Sequence, residues 1–487
     1  MSQTICAIAT AQGGAIGIIR VSGQLTFITI RKLCKRITPA TPPRTTVLTP
    51  IIDITQTSTN RHASTNHIDD ALVTLFPAPH SYTGEDCAEI SCHGSSYILQ
   101  KILELLIQQG CRIAKPGEFT QRAFLNGKID LSQAEAVADI IASTNSATHK
   151  MAMSQLRGHF SAELTTLRNQ LLHLTTLLEL ELDFSDHEDL EFANRNELQQ
   201  LAKQIDNRIT HLAQTFETGQ ALKNGIPVAI VGKTNVGKST LLNRLLHEER
   251  AIVSDIHGTT RDTIEDTINI HGVQFRFIDT AGLRQTNDKI EQIGIERTYK
   301  AIEKAHIVLW LIDKRPSAEE LKDMSNRSTG RTLILIINKA DLFQKPNKTD
   351  AADIINKDEF LSNVNMNDII PIESDASTAI SPYPPLIISA KTGQGLDSLE
   401  TTIYKAANIP DITDNSFIIT NLRHFEALTQ AHSHLTRVLD GLQSSLSTEL
   451  IAEDLRLVIN ALGEITGGTI TTPETLNNIF SHFCVGK

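Results

Sequence analysis

The spacing of apolar residues changes character along the chain, and the changes divide it. Up to about residue 125, short runs such as "AIGIIRVSG" and "ALVTLF" stand between turns rich in Pro, Gly, Ser and Thr. Short β-like runs separated by breakers predict an α+β unit. From about 130 to 222 leucine recurs at helical intervals, as in "LTTLRNQLLHLTTLLELEL", with almost no Gly or Pro, so long helices are predicted. "SQAEAVADIIAS" opens them, with Ser132 and Glu135 at the spacing of a capping box. Between 226 and about 405 the runs "PVAIVG", "VQFRFIDT", "IVLWLID", "TLILIINK" and "LIISAK" predict strands of a mostly parallel sheet alternating with helices. Helical periodicity returns after about 410 in "FEALTQAHSHLTRVL" and "ELIAEDLRLVINALGEI".

The simplest architecture is an α/β domain inserted into a helical one. The expected units are 1–125, an N-terminal α+β domain; 126–224, the first part of an all-α domain; 225–408, the α/β domain; and 409–487, the second helical part. Between Asp341 and Pro385 the chain is polar and punctuated by Pro, which predicts a long surface insertion, partly disordered.

Composition narrows the class. A chain of 487 residues, 40% hydrophobic, supports several cores. No run of eighteen apolar residues occurs, and "MSQTICAIATAQGG" has neither a signal-peptide nor a transit-peptide layout, so no membrane association and a cytoplasmic location are expected. The six cysteines, at 6, 34, 87, 92, 111 and 484, form no CxxC pair and read as reduced thiols. Cys87, Cys92 and His93 lack the second ligand pair a zinc site needs. A net charge of -11 argues against a protein that wraps nucleic acid by itself. Residues 1–50 nevertheless carry Arg20, Arg31, Lys32, Lys35, Arg36 and Arg44 and no acid, so the N-terminal unit could face an anion.

Chemistry concentrates after the first strand of the α/β domain, where "GKTNVGKS" joins a predicted strand to a predicted helix. Gly232 and Gly237 let the backbone turn its N–H groups toward phosphates, Lys238 adds charge near the β- and γ-phosphates, and the Ser239 hydroxyl can ligate Mg²⁺. "DTAG" places Asp279 near that metal and the Gly282 N–H near a γ-phosphate. In "NKAD", Asp341 can accept from guanine N1 and N2, a pairing adenine cannot reproduce. "SAK" at Ser389, Ala390 and Lys391 offers backbone contacts to the base, and "GTTRD" at 258–262 a switch threonine. Together the four spacings specify GTP.

Hydrolysis needs an oriented water. The position after Gly282, where Ras-like GTPases carry Gln, is Leu283, which has no hydrogen-bonding group. The Asn235 side chain could hold a monovalent cation against the phosphates in place of an arginine finger. Glu291 is the acid best placed to orient water, and it reads equally as a cap of a helix starting near Asp288. Arg261 and Arg284 are further candidates.

The ending "HFCVGK" puts Cys484 three residues before Lys487. A prenylation signal fits poorly, since Gly486 is not aliphatic and no polybasic run precedes it.

With these residues in view, the chain resembles the MnmE (TrmE) family of tRNA-modification GTPases over nearly its whole length. The resemblance rests on "SYTGEDCAEISCHG", "KPGEFTQRAFLNGKIDLSQAEAVADII", "EDLRLVINALGEITG" and "FCVGK" beside the GTP motifs. It implies an N-terminal folate-binding domain, an all-α helical domain and an inserted Ras-like G domain of the P-loop NTPase class. It implies GTP contacts from Asn235, Val236, Gly237, Lys238, Ser239, Thr240, Ser254, Asp255, Ile256, His257, Gly258, Thr259, Thr260, Asp279, Thr280, Ala281, Gly282, Asn338, Lys339, Ala340, Asp341, Ser389, Ala390 and Lys391. Mg²⁺ would be held by Ser239 and Thr260, and K⁺ by Asn235, Ser254, Ile256 and Thr259, with Glu291, Asn235 and Lys238 catalytic. A tetrahydrofolate derivative, 5,10-methylene or 5-formyl, would meet Arg20, Glu89, Lys128 and Lys487, with Cys484 lining its site.

The implied activity is potassium-activated GTP hydrolysis by a homodimer. With MnmG, a flavoprotein that uses FAD and NADH, it would form a heterotetramer and install an aminomethyl or carboxymethylaminomethyl group on C5 of the wobble uridine of certain tRNAs. A ribosome-assembly or signalling GTPase acting as a binding switch is the alternative, and it predicts a strongly basic RNA-binding module and no folate affinity. A stand-alone folate-dependent aminomethyl transferase with a regulatory G domain would turn over without a flavin partner.

Overall fold

The computed structural model describes residues 3–11, 13–54, 67–183, 195–249, 266–278, 299–314, 316–343, 381–410, 417–444, 446–468, 473–481, 483 and 486. The chain forms two compact units. The first comprises Met1–Ala142, Ala152–Thr210 and Glu426–Lys487, and the second Ser143–Met151 and His211–Phe425. Most of the polar segment between Asp341 and Pro385 lies outside the described residues.

In chain order, β1 (Ile5–Ile8), β2 (Ile16–Ser22), α1 (Thr26–Leu33), β3 (Thr46–Ile52), β4 (His67–Phe76), β5 (Cys87–His93), α2 (Ser96–Gln108), β6 (Arg112–Ile113) and α3 (Glu118–Leu125) build the N-terminal part of the first unit. Its six strands run β3-β4-β5-β2-β1-β6, antiparallel except where β6 joins β1. Alternation puts Ile19 and Val21 of β2, Ala88 and Ile90 of β5, and Val73 of β4 on one face. That face packs on Ile30 and Leu33 of α1 and Leu99, Ile102 and Leu106 of α2. Burying each of the Val, Ile and Leu side chains here is worth roughly 2 kcal/mol.

The helices follow the leucine pattern. After α4 (Leu131–Ala142) and α5 (Ser146–Leu156), α6 (His159–Asp183) buries Leu164, Leu167, Leu171, Leu174 and Leu178, in steps of three and four. The capping box of α4 is not Ser132 with Glu135. The Gln133 amide donates to Asp130 Oδ1 at 2.9 Å and the Asp130 amide to Gln133 Oε1 at 3.0 Å, so the reciprocal pair lies two residues earlier. Ser132 is fully buried and takes Gln155 Nε2 on its own hydroxyl at 3.2 Å, which removes it from capping.

The second unit follows α7 (Arg195–Asn224), with β7 (Ile226–Val231), α8 (Lys238–Glu249), β8 (Asp266–Ile270), β9 (Val273–Phe277), β10 (Ile307–Ile312), α9 (Ala318–Arg327), β11 (Thr332–Ile337), β12 (Leu386–Ile387) and α10 (Leu396–Ala406). Its sheet order is β12-β11-β10-β7-β9-β8, parallel apart from β8. Successive connections leave β7 toward opposite sides, so the carboxyl end of β7 is a topological switch point where such folds bind ligands. β10 is buried at all six positions, as a central parallel strand covered on both faces should be.

The chain returns to helices in α11 (Leu422–Gln443), α12 (Thr448–Thr466) and α13 (Pro473–Ser481). α12 packs along α6 and buries Ile451, Leu455, Val458, Leu462 and Ile465. Among the described residues no helix is long and apolar enough to cross a membrane.

Candidate functional site

The loop from 232 to 237 leaves β7 at the switch point and enters α8 at Lys238. Its path depends on two glycines. Gly232 has φ 152° and a side chain there would lie 2.3 Å from Leu311 O, while Gly237 has φ 99° and would meet Asn338 Nδ2 at 2.3 Å. Asn235, at the exposed crest, is a non-glycine residue with φ 63°, a conformation Asn tolerates better than most. Val236 turns the other way into the core. Lys238 Nζ donates to the carbonyls of Gly232 and Lys233, both at 2.7 Å, and burial lowers its pKa. Ser239 and the exposed Thr240 lie in the first turn of α8.

The ends of β11 and β12 meet this loop. Asn338, nearly fully buried, donates through Nδ2 to Val236 O at 2.7 Å and accepts from the Ala390 amide on Oδ1 at 2.9 Å. Its amide therefore fastens the phosphate loop to the "SAK" loop. Asp341 Oδ1 accepts from Ser389 Oγ at 2.6 Å, which fixes the carboxylate beside the buried Ser389 and Ala390. Ala340 donates its amide to Ile388 O at 3.0 Å, Lys391 is exposed, and Lys339, with φ 68°, holds Asp313 Oδ2 at 2.7 Å. Asp313, which closes β10, was not singled out from sequence. Its signal is an acid directly after a strand whose neighbours end in nucleotide motifs.

Ser254, Asp255, Ile256, His257, Gly258, Thr259, Thr260, Asp279, Thr280, Ala281, Gly282, Leu283 and Glu291 lie outside the described residues, as do Arg261, Arg284, Cys484 and Lys487.

In the first unit Arg20 and Glu89 face each other across β2 and β5. Arg20 Nε and Nη2 both donate to Glu89 Oε1, at 3.0 and 2.8 Å, and Nη1 reaches Gly486 O at 3.4 Å. Among the described residues Oε2 of Glu89 takes no hydrogen bond, and the Glu89 side chain is part-exposed. The guanidinium carbon lies 5.4 Å from the Tyr82 ring centre and 5.8 Å from that of Phe119. Lys128 donates to Pro79 O at 3.1 Å rather than to the Arg20–Glu89 pair. The buried Gly486 comes so close to β1 that a side chain there would sit 2.7 Å from Ile8 O.

Glu118, beside Phe119 at the start of α3, gathers several donors. Glu118 accepts from Arg112 Nη1 and Nη2 at 3.0 and 2.6 Å, from the Lys115 amide at 2.8 Å and from Arg122 Nη2 at 3.0 Å. Burial acts to raise its pKa, but these donors prevail and bring it down to about 2. Cys87 and Cys92 fall on opposite faces of β5, with burial pushing the Cys92 thiol up to about 11. Among the described residues no group of three metal-ligating side chains occurs.

Two family models match the chain: "GTP-binding protein TrmE N-terminus" over residues 4–128 and "MnmE helical domain" over 131–484. Curated relatives named "tRNA modification GTPase MnmE" align from end to end. That of Phocaeicola vulgatus is 51% identical over 520 aligned residues, covering 100% of this chain and 99% of its own. The protein of Bacteroides thetaiotaomicron is 50% identical, with coverages of 100% and 99%, and that of Porphyromonas gingivalis 48%, with 100% and 98%.

Proposed function

The chain belongs to the MnmE family of tRNA modification GTPases, and from that membership we propose that it is a potassium-activated GTPase acting with the flavoprotein MnmG. Together they add a carboxymethylaminomethyl or aminomethyl group to C5 of the wobble uridine of certain tRNAs, with a tetrahydrofolate derivative as one-carbon donor. The observation that carries the reading is the phosphate loop at the β7 switch point, tied through Asn338 to Ala390, with Asp341 held beside it by Ser389. That arrangement supports guanine accepted by the Asp341 carboxylate and phosphates received by the α8 N-terminus and Lys238. Lys238 exchanges its two carbonyl partners for phosphate oxygens, which reverses the effect of burial on its charge.

Ser239 and Thr260 would hold Mg²⁺, and Asn235, Ser254, Ile256 and Thr259 would hold K⁺. These donors are all oxygens, which suits hard cations, and the exposed Asn235 at the loop crest is free of the core. When bound, the cations supply positive charge where the β- and γ-phosphate oxygens become more negative. Glu291 orients the attacking water, a task Leu283 has no group to perform.

The folate reading draws support from Glu89. Its Oε2 is an acceptor suited to the N–H donors of a reduced pterin, while Lys128 and Lys487 suit the glutamate tail. The homodimer draws support from the same sheet face: Ile16, Leu48 and Leu72 alternate in register with Arg20 and Glu89 and are all about half exposed or more.

Nucleoside analysis of tRNA from cells deleted for the gene tests the reading. Loss of the modified wobble uridine, restored by the wild-type gene and not by Lys238→Ala, is expected. Unchanged tRNA nucleosides in the deletion strain refute it.

A further inference from the structure

Arg20 packs against two aromatic rings. Its guanidinium lies against the rings of Tyr82 and Phe119, and the two rings are secured differently. Phe119 is fully buried with Ile5, Ala7 and Ala114. Tyr82 keeps an exposed edge, and its hydroxyl is tied at 2.8 Å to Thr120 Oγ1, whose residue is fully buried. With two rings packed against it, the guanidinium is restricted in rotation. Because its Nε and Nη2 then share one oxygen of Glu89, the carboxylate is held with Oε2 outside the arginine's hydrogen bonds.

We infer that Tyr82 is a positioning residue for pterin recognition: pinned by Thr120, it holds Arg20 so that Glu89 presents Oε2 to the N–H donors of the ring. The inference rests on the folate reading above and adds to it a residue that contributes through Arg20. It makes a distinction by ligand. A compound with the pterin ring depends on the Glu89 orientation, and a compound with only the p-aminobenzoyl-glutamate portion does not.

The experiment is calorimetric titration of the full-length protein with 5-formyl-tetrahydrofolate and, separately, with p-aminobenzoyl-glutamate. Tyr82→Ala is expected to weaken 5-formyl-tetrahydrofolate by about tenfold or more, leaving p-aminobenzoyl-glutamate and GDP affinity unchanged. Tyr82→Phe keeps the ring over Arg20 but loses the tie to Thr120, and is expected to weaken 5-formyl-tetrahydrofolate by about threefold, between wild type and Tyr82→Ala and in the same direction as Thr120→Val. Should Tyr82→Ala fail to fold, Thr120→Val, which frees the hydroxyl alone, is expected to weaken 5-formyl-tetrahydrofolate and not the fragment. Wild-type affinity in Tyr82→Ala, or in Thr120→Val where that is the variant measured, overturns the inference, as does equal weakening of both ligands. If Glu89→Ala abolishes 5-formyl-tetrahydrofolate binding in the same series, the folate reading survives that failure. Absence of folate binding by the wild type overturns both.

Discussion

Replacing Asn338 by alanine removes the side chain that fastens two nucleotide loops together. The substitution deletes the 2.7 Å bond to Val236 O and the 2.9 Å bond from the Ala390 amide, leaving an acceptor and a donor in a site where Asn338 is only 3% exposed. Each buried group left unpaired costs about 1–3 kcal/mol, and proximity to an open loop lets water recover part of it, so a loss of roughly 3 kcal/mol is expected. For a unit of this size, that lowers the melting temperature of the nucleotide domain by roughly 6–12 °C. Calorimetric melting beside a titration with fluorescent GDP separates two roles. A fastening residue loses both stability and affinity, and bound GDP restores part of the melting temperature. A melting temperature within about 1 °C of wild type with weakened GDP would mean that Asn338 acts by touching the base, refuting the argument from its two bonds.

Asp341→Asn replaces an acceptor by a donor, so GTP is expected to weaken by at least about 100-fold while xanthosine triphosphate, which offers a carbonyl at C2, gains, as read by competition against fluorescent GDP. Lys238→Ala is expected to lower GTP hydrolysis by at least about 100-fold, measured by phosphate release, with melting of the first unit unchanged. Glu118 titrates with a folded pKa depressed from 4.5 to about 2, so its contribution of about 3 kcal/mol is present above pH 4.5 and lost as the pH falls through 2. Urea unfolding between pH 7 and 2 checks this: Glu118→Gln should be less stable at pH 7 and show a flatter acid limb.

Periodicity carried much of the fold. Leucine spacing announced α6 and α12, and the unbroken apolar runs announced β7, β10 and β11, because burial on one stripe or on both faces leaves a local trace. What escaped was decided by partners distant in sequence. The order β3-β4-β5-β2-β1-β6 depends on non-local pairing that no single strand encodes. β8 escaped because its turn is His271-Gly272, with φ 51° and 80°, rather than the usual Asn-Gly. Two overlapping capping patterns exist at 130–135, and the choice of Asp130 with Gln133 follows from Ser132 being buried under Gln155. The motif residues of the nucleotide loop were legible because phosphate binding demands them in consecutive positions. The role of Tyr82 was not, since it depends on β2, the 77–86 loop and α3 meeting in space.

On the proposed function, a potassium site beginning at Asn235 performs the charge neutralisation that Leu283 cannot. Phosphate release from GTP by the full-length protein, compared in KCl and NaCl at equal ionic strength, is the deciding measurement. Turnover at least about tenfold faster in potassium is expected, a difference abolished by Asn235→Ala. Equal rates in the two salts, or a potassium response that survives Asn235→Ala, would contradict it.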